Sequence, residues 1–434
     1  MNNNTTSIAS VTVYEQKKDR PTPQHGLDYL CLLVFLFLLC SALQSVFPML
    51  NEVRPAYTLA ICALVVWLTR KLSHQDPFIL HAPSYLLIAL TVSTMLGVPV
   101  ALWPHEAFNT TLDAIKILAI FLLISNIVDS YGKLNGIIWA LCLGGLLPAA
   151  GAMRNYINSE NLVEGFRTTW VGIYANPNDL AYTMAMLIPL AIALFSSSQR
   201  KTVKLLAIGC TSIYTLTIIF TASRMGFLCL MAILFLTILS GRQYIRSLVL
   251  VLVILLLCVP FISSDYLDRI ETITSYMSDR SSSGRLEAWE AGMHMFENNP
   301  ILGVGAGCYI LGWPEDLRER YGAVRTAHNT FIQALAELGL LGFTFFSMFL
   351  IAIWRLIWRL KNSLLAKQHM LAPEIFRQHY GSLLSVVTAL NIGMWVFLVS
   401  SLTGGLLFTW YPYIFSAMAV AAQQIYQKQL DNDV

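Results

Sequence analysis

The sequence predicts an all-α polytopic membrane protein of about twelve transmembrane helices, with one large, partly helical loop. Two observations carry that prediction. The 434 residues are 56% hydrophobic and only 12% charged, with a mean hydropathy of +0.60; a soluble domain carries about twice that charge. Apolar runs of around 20 residues recur along most of the chain, the length that crosses a hydrocarbon core of about 30 Å. The runs are continuous rather than alternating, which argues against a β-barrel.

The elements follow in order. Residues 1–26 form a polar tail with neither an apolar h-region nor a small-residue cleavage site, so the first span is expected to direct insertion itself. Residues 27–263 hold nine spans, at roughly 27–48, 55–70, 83–103, 109–128, 135–153, 178–197, 203–221, 224–240 and 246–263. The second is short, and the eighth follows closely on the seventh. Residues 264–329 are the one long connection. Residues 330–425 hold three more spans, at roughly 330–358, 381–402 and 405–425, and 426–434 form a short tail.

The positive-inside rule orients this set. With the N-terminus cytoplasmic, seventeen Lys and Arg residues fall inside, and the short outer loops hold four, Arg54, Arg154, Arg167 and Arg224. Both termini are therefore expected in the cytoplasm and the 264–329 loop outside. The net charge of +3 offers no basic array suited to nucleic acid. Seven of the eight cysteines fall in spans, Cys308 falls in the loop, and no CxxC occurs, so neither a disulfide framework nor a zinc site is expected.

The long loop is the place to look for chemistry. In "GRLEAWEAGMHMFENNP", Leu286, Trp289, Met293 and Phe296 recur at helical spacing, which predicts an amphipathic helix on the membrane surface, ended by Pro300. The glycine cluster Gly303–Gly307 lacks the strand, helix and downstream acid of a nucleotide fingerprint and is better explained as a close backbone turn. No Walker sequence occurs. Asp265 and Asp268 have no His or Glu beside them in a ligand pattern, and no obligatory metal or other cofactor is expected.

Several residues stand out. His328 sits where the loop meets the tenth span; a neutral imidazole there suits a general base for a hydroxyl, or a histidine that merely hydrogen-bonds loop carbonyls. Arg224 stands in a near-zero-length turn between two spans, either snorkelling or binding an anion; Arg285, at the start of the loop helix, could reach the same place. In "GIYANPNDLA", Asn176, Pro177, Asn178 and Asp179 make a turn and helix cap. Asp113 and Lys116, three apart, are expected to pair. Glu337, about two turns into the tenth span, is an intramembrane acid, and such a group marks a functional position by default. Nine residues of helix, about 13 Å, separate it from His328, too far for direct contact.

Four stretches together resemble the superfamily of O-antigen ligases, O-antigen polymerases and protein O-oligosaccharyltransferases. "GIYANPNDLA" is similar to its Gly…Asn-Pro-Asn…Leu-Ala segment. "SRMGFL" fits its Arg, three residues, Leu pattern. "SSGRLEAWEAGMHMFENNPILGVGAG" is similar to its Gly-Arg…Trp…Pro-x-x-Gly-x-Gly segment. "HNTFIQALAELGLLG" fits the ligase signature through His328, Asn329, Gly339 and Gly342. The resemblance covers roughly residues 170–345.

That resemblance implies a GT-C-like fold and a ligase that moves O-antigen polysaccharide from undecaprenyl diphosphate to a sugar hydroxyl of lipid A–core, at the outer face of the bacterial inner membrane. His328 would be the general base. Arg224 and Arg285 would clamp the diphosphate without metal, and the reaction would invert configuration. Asn329, Asn176, Asn178, Arg325 and Trp289 would contact substrate, and Glu337 would support them. The implied partners are the lipid-linked donor, the lipid A–core acceptor and membrane lipids, with the chain acting as a monomer. An O-antigen polymerase or a protein O-oligosaccharyltransferase with the same donor is the alternative. A secondary transporter using Asp113, Lys116 and Glu337 as an ion path, and a structural partner in an envelope assembly, are the alternatives from other classes; no internal repeat of the kind many transporters show is visible.

Overall fold

The computed structural model describes residues 26–47, 49–75, 77–240 and 280–432. The expected ninth span at 246–263, together with Asp265 and Asp268, lies outside the described residues. Each of the other eleven expected spans falls on a helix, and the only strand-like pairing among the described residues is an isolated bridge between Val163 and Arg167. The long helices are α1 (Leu27–Ser41), α2 (Pro55–His74), α3 (Ala82–Gly97), α4 (Pro104–Ile127), α5 (Tyr131–Asn158), α6 (Pro177–Ser197), α7 (Lys201–Phe220), α8 (Arg224–Leu239), α9 (Arg280–Asn298), α10 (Glu315–Tyr321), α11 (Thr330–Met370), α12 (Ser382–Ser401) and α13 (Trp410–Asn432). Among the described residues eight helices are long and apolar enough to cross a membrane, and α1 and α8 are shorter apolar helices. The protein is a polytopic, all-helical membrane protein.

Burial orders the bundle. The apolar window of α6 is 83% buried, packed among α5, α7, α8 and α12, so α6 is the central post. That of α2 is only 17% buried. Tyr57, Ile61, Val65 and Leu72 of α2 are exposed at helical spacing, an apolar stripe suited to a lipid-facing side. α13 begins at Trp410 rather than at the expected 405 and is too polar to be one of the eight spans; it buries Tyr411, Tyr413, Phe415 and Met418 inside the protein instead. Asp113 and Lys116 of α4 pair with each other at 2.8 Å, as their spacing predicts.

The loop helix exists, and a face other than the expected apolar one packs against the protein. Leu286 and Met293 are exposed. The covered side carries small residues, Gly284, Ala288, Ala291 and Gly292, with Met295. Small side chains bring the α9 backbone close to its neighbours: a Cβ on Gly292 would meet Ile332 at 2.5 Å and Tyr309 at 2.6 Å. Around this face a second core forms from Ala288, Ala291, Met295, Tyr309, Trp313, Leu317 and Ala327.

α11 extends to Met370, beyond the expected end at 358, and its regular geometry breaks at Gly339 (φ 61°, ψ −165°), a region open essentially to glycine alone. The segment after α9 crosses the helix at that break. Leu340 and Leu341 N–H donate to the Pro300 and Ile301 carbonyls at 2.8 and 3.2 Å, and Val304 and Gly305 N–H donate to the Ala336 and Glu337 carbonyls at 2.9 and 3.0 Å. Each half of the broken helix thus has its freed backbone groups satisfied by the other chain segment, the condition for irregular backbone at membrane depth.

Candidate active site

A cavity of about 320 Å³ opens where several helices begin or end. Its wall takes Asn176, Asn178 and Asp179 from the start of α6, Met225 from α8, Gly307, Tyr309 and Ile310 from the glycine loop, and Thr326, Ala327 and His328 from the junction before α11. Gln333 and Glu337 of α11 and residues 403–406, between α12 and α13, complete it.

Helix starts build the first wall. Asn176 caps α6 by accepting from Asn178 N–H at 2.8 Å, and Pro177 fills the first helical position, where a missing N–H loses nothing. Ser223 caps α8 by accepting from Gly226 N–H at 3.2 Å and donates its own hydroxyl to Asn178 Oδ1 at 2.8 Å. Arg167, only 7% exposed, ties both together: Nη2 donates to Asn178 Oδ1 and Nε to the Thr221 carbonyl, each at 3.0 Å. Arg224 follows directly, one residue before the cavity-lining Met225.

The opposite wall is set by the junction before α11. His328 adopts φ 46°, a left-handed backbone that non-glycine residues rarely hold. Two indoles brace the segment on either side of it: Trp313 Nε1 donates to the Arg325 carbonyl at 2.9 Å, and Trp289 Nε1 to the Ala327 carbonyl at 3.0 Å. The Arg325 guanidinium pairs with Glu287 of α9. One ring nitrogen of His328, Nε2, lies 3.2 Å from Thr326 Oγ1. Burial, and then the positive charges of Arg285 and Arg325, hold the imidazole below the ordinary histidine value, so its neutral, proton-accepting form dominates at neutral pH.

Asn329 turns its side chain to the helix, accepting from Phe331 and Ile332 N–H at 2.9 and 3.2 Å as the cap of α11. Thr330 next to it donates to the Gly404 carbonyl at 2.8 Å and accepts from Leu406 N–H at 3.0 Å, which fastens the 403–406 segment over the cavity. Glu337 is 1% exposed and accepts from Gly307 N–H at 3.0 Å and from Gln333 Nε2 at 3.2 Å.

Of the sequence-predicted residues, His328, Asn176, Asn178 and Glu337 share the cavity wall. Arg285 acts on His328 through its charge, and Arg325 and Trp289 hold the junction from behind. Arg224, Arg285, Arg325, Asn329 and Trp289 are not part of the wall. Sequence reasoning passed over Arg167, Asp179 as a wall residue, Gln333 and the Thr403–Leu406 segment. The last straddled the start of the expected span at 405–425, and its adjacent glycines were the signal that could have moved that start later.

Fold and site together define a polytopic membrane protein with a cavity at the mouths of its helices, lined by a histidine and two carboxyl groups among apolar and amide side chains. A family model described as O-antigen ligase matches residues 206–347, which run from α7 through Arg224, the loop helix, the glycine loop and His328 to beyond Gly342. The match covers about a third of the chain, which over those residues is similar to the O-antigen ligase family. No curated protein matches the chain.

Proposed function

We propose that the protein transfers O-antigen polysaccharide from undecaprenyl diphosphate to a sugar hydroxyl of lipid A–core, in the bacterial inner membrane, with both termini cytoplasmic and the cavity open to the periplasm. The observation that carries the reading is His328: a neutral imidazole braced at the cavity edge, beside Arg285 and Arg325, within the ligase domain. His328 takes the proton of the acceptor hydroxyl. The oxygen attacks the anomeric carbon as the bond to the diphosphate breaks, the diphosphate leaves with the electron pair, and configuration inverts.

Arg285 and Arg224 stabilise the charge that develops on the leaving diphosphate, so the reading requires no metal. Arg285 is close enough for its charge to be felt at His328, and Arg224 begins the helix whose next residue lines the cavity. Asn178 and Glu337 line the wall as sugar-binding groups. The test is lipopolysaccharide from ligase-deficient cells carrying His328→Ala or Arg224→Ala. The reading expects core without long-chain sugar. Wild-type capping with either variant refutes the mechanism. Purified donor offered with a second donor in place of lipid A–core separates a ligase from a polymerase.

A further inference from the structure

Charge around the cavity is segregated. Apart from neutral His328, no basic side chain lines it; its polar side chains are the carboxyls of Asp179 and Glu337, the amides of Asn176, Asn178 and Gln333, and the Thr326, Thr403 and Tyr309 hydroxyls, set among apolar residues such as Met225 and Ile310. The arginines all lie outside that wall. Arg325 is engaged with Glu287 on α9, Arg285 lies in the second turn of the same helix, and Arg167 is buried against Thr221 and Asn178. An anion inside the cavity would face two carboxyl groups with no cation, the arrangement that desolvated anions avoid.

The cavity does suit a polyol. Its volume is at the lower end of the roughly 300–1,000 Å³ usual for small-molecule sites, room for a sugar ring but not for a glycan chain. Gln333 Oε1 is buried with no hydrogen-bond partner, and it lies against the bare backbone of Gly405, where an added Cβ would stand 3.0 Å away. A buried acceptor left open in this way calls for a donor from a ligand. Hydroxyls donate and accept at once and match a wall of mixed carboxyl, amide and threonine groups.

We propose that this cavity is the acceptor-sugar subsite, selective for uncharged sugar rings over anionic ones, and that the diphosphate stays outside it on the arginine side of His328. The inference rests on the transfer reading for its direction. In an in-line displacement the attacking hydroxyl arrives opposite the leaving group; with the diphosphate among the arginines, the acceptor ring enters from the cavity and meets His328 at its edge.

Binding to the purified full-length protein in nanodiscs tests this, by ligand-observed NMR with methyl glucoside, methyl glucuronoside and inorganic pyrophosphate. Methyl glucoside is expected to bind saturably and to remain bound when pyrophosphate is added. Methyl glucuronoside is expected to bind at least tenfold more weakly. Asp179→Asn and Glu337→Gln should each narrow that gap severalfold and leave pyrophosphate binding unchanged; Arg285→Ala should weaken pyrophosphate and spare the glucoside. Asp179, exposed to the cavity, is the variant to rely on if the buried Glu337→Gln fails to fold. Equal binding of both sugars, displacement of glucoside by pyrophosphate, or no saturable glucoside binding overturns the subsite. Those results leave the transfer reading standing if His328→Ala still abolishes ligation. Wild-type ligation by His328→Ala removes that reading whatever the sugars do.

Discussion

Gly339→Ala tests the crossing that shapes the cavity floor. At φ 61°, ψ −165° an alanine carries backbone strain of about 1–3 kcal/mol. Its Cβ would also stand 2.5 Å from the Ile301 carbonyl carbon and oxygen and 2.6 Å from Gly303 N, all backbone, so no side-chain rotation relieves the clash. The 300–305 segment must move, and four backbone hydrogen bonds hold it to α11. Losing two or three of them, at a net 0.5–1.5 kcal/mol each, brings the total to about 3–6 kcal/mol, a large share of an ordinary folding free energy. In thermal unfolding of the detergent-solubilised protein, the apparent Tm should fall on the order of 10 °C. Transfer should be lost even at permissive temperature, because Glu337 and Gly307 sit at the crossing. Gly209→Ala on α7, where nothing lies within 4 Å and φ is helical, is the control and should be neutral or slightly stabilising. An apparent Tm for Gly339→Ala within about 2 °C of wild type, against that scale, refutes the account of the break.

Three further outcomes are expected. A base must be neutral to act, and the His328 pKa is lowered, so the acid limb of kcat/KM should lie below the ordinary histidine value of about 6.5; Arg325→Ala removes a nearby positive charge and should move that limb to higher pH, and a limb that stays put dissociates His328 from the rate. Arg167→Ala strips the two 3.0 Å bonds that join Thr221 and Asn178 and should cost about 2–4 kcal/mol with loss of transfer; Arg167→Lys should not restore it, since a single ammonium cannot bridge both acceptors, and full activity in the lysine variant would show that charge alone suffices. Asn329→Ala should cost about 1 kcal/mol through the lost cap while Asn329→Asp keeps stability; transfer abolished in a stable Asn329→Asp would show instead that the amide meets substrate.

The parts legible in the sequence are those with a one-dimensional signature. Long apolar runs marked the spans, the Asn-Pro-Asn turn marked the start of α6, and His328 stood out as a titratable ring at the end of a polar loop. The loop helix shows where that logic stops. Hydrophobic bulk marked Leu286 and Met293 as an apolar face toward the membrane surface but was silent on the face that packs against the protein, where close backbone approach selects the smallest side chains, Ala288 and Gly292 among them, and small size carries no weight in a periodicity count. Glu337 was visible as an acid in a span, but its bond to Gly307 joins residues thirty apart across a backbone crossing that no spacing announces. Arg167 looked like any loop arginine, because only the folded chain brings Thr221 and Asn178 to it.

The cavity wall draws on residues from Asn176 to Leu406, and the Thr330 hydroxyl holds its last segment in place. During synthesis, when chains emerge at about 5–20 residues per second and fold from the N-terminus, the stretch bearing His328 is complete several seconds before Thr403–Leu406 is made. Until the last two helices are made and packed, the nascent protein has His328 but no closed cavity beside it. A molecule stalled or clipped ahead of residue 403 therefore lacks a piece of the cavity wall, and on the proposed reading the step that completes the chain also completes the site.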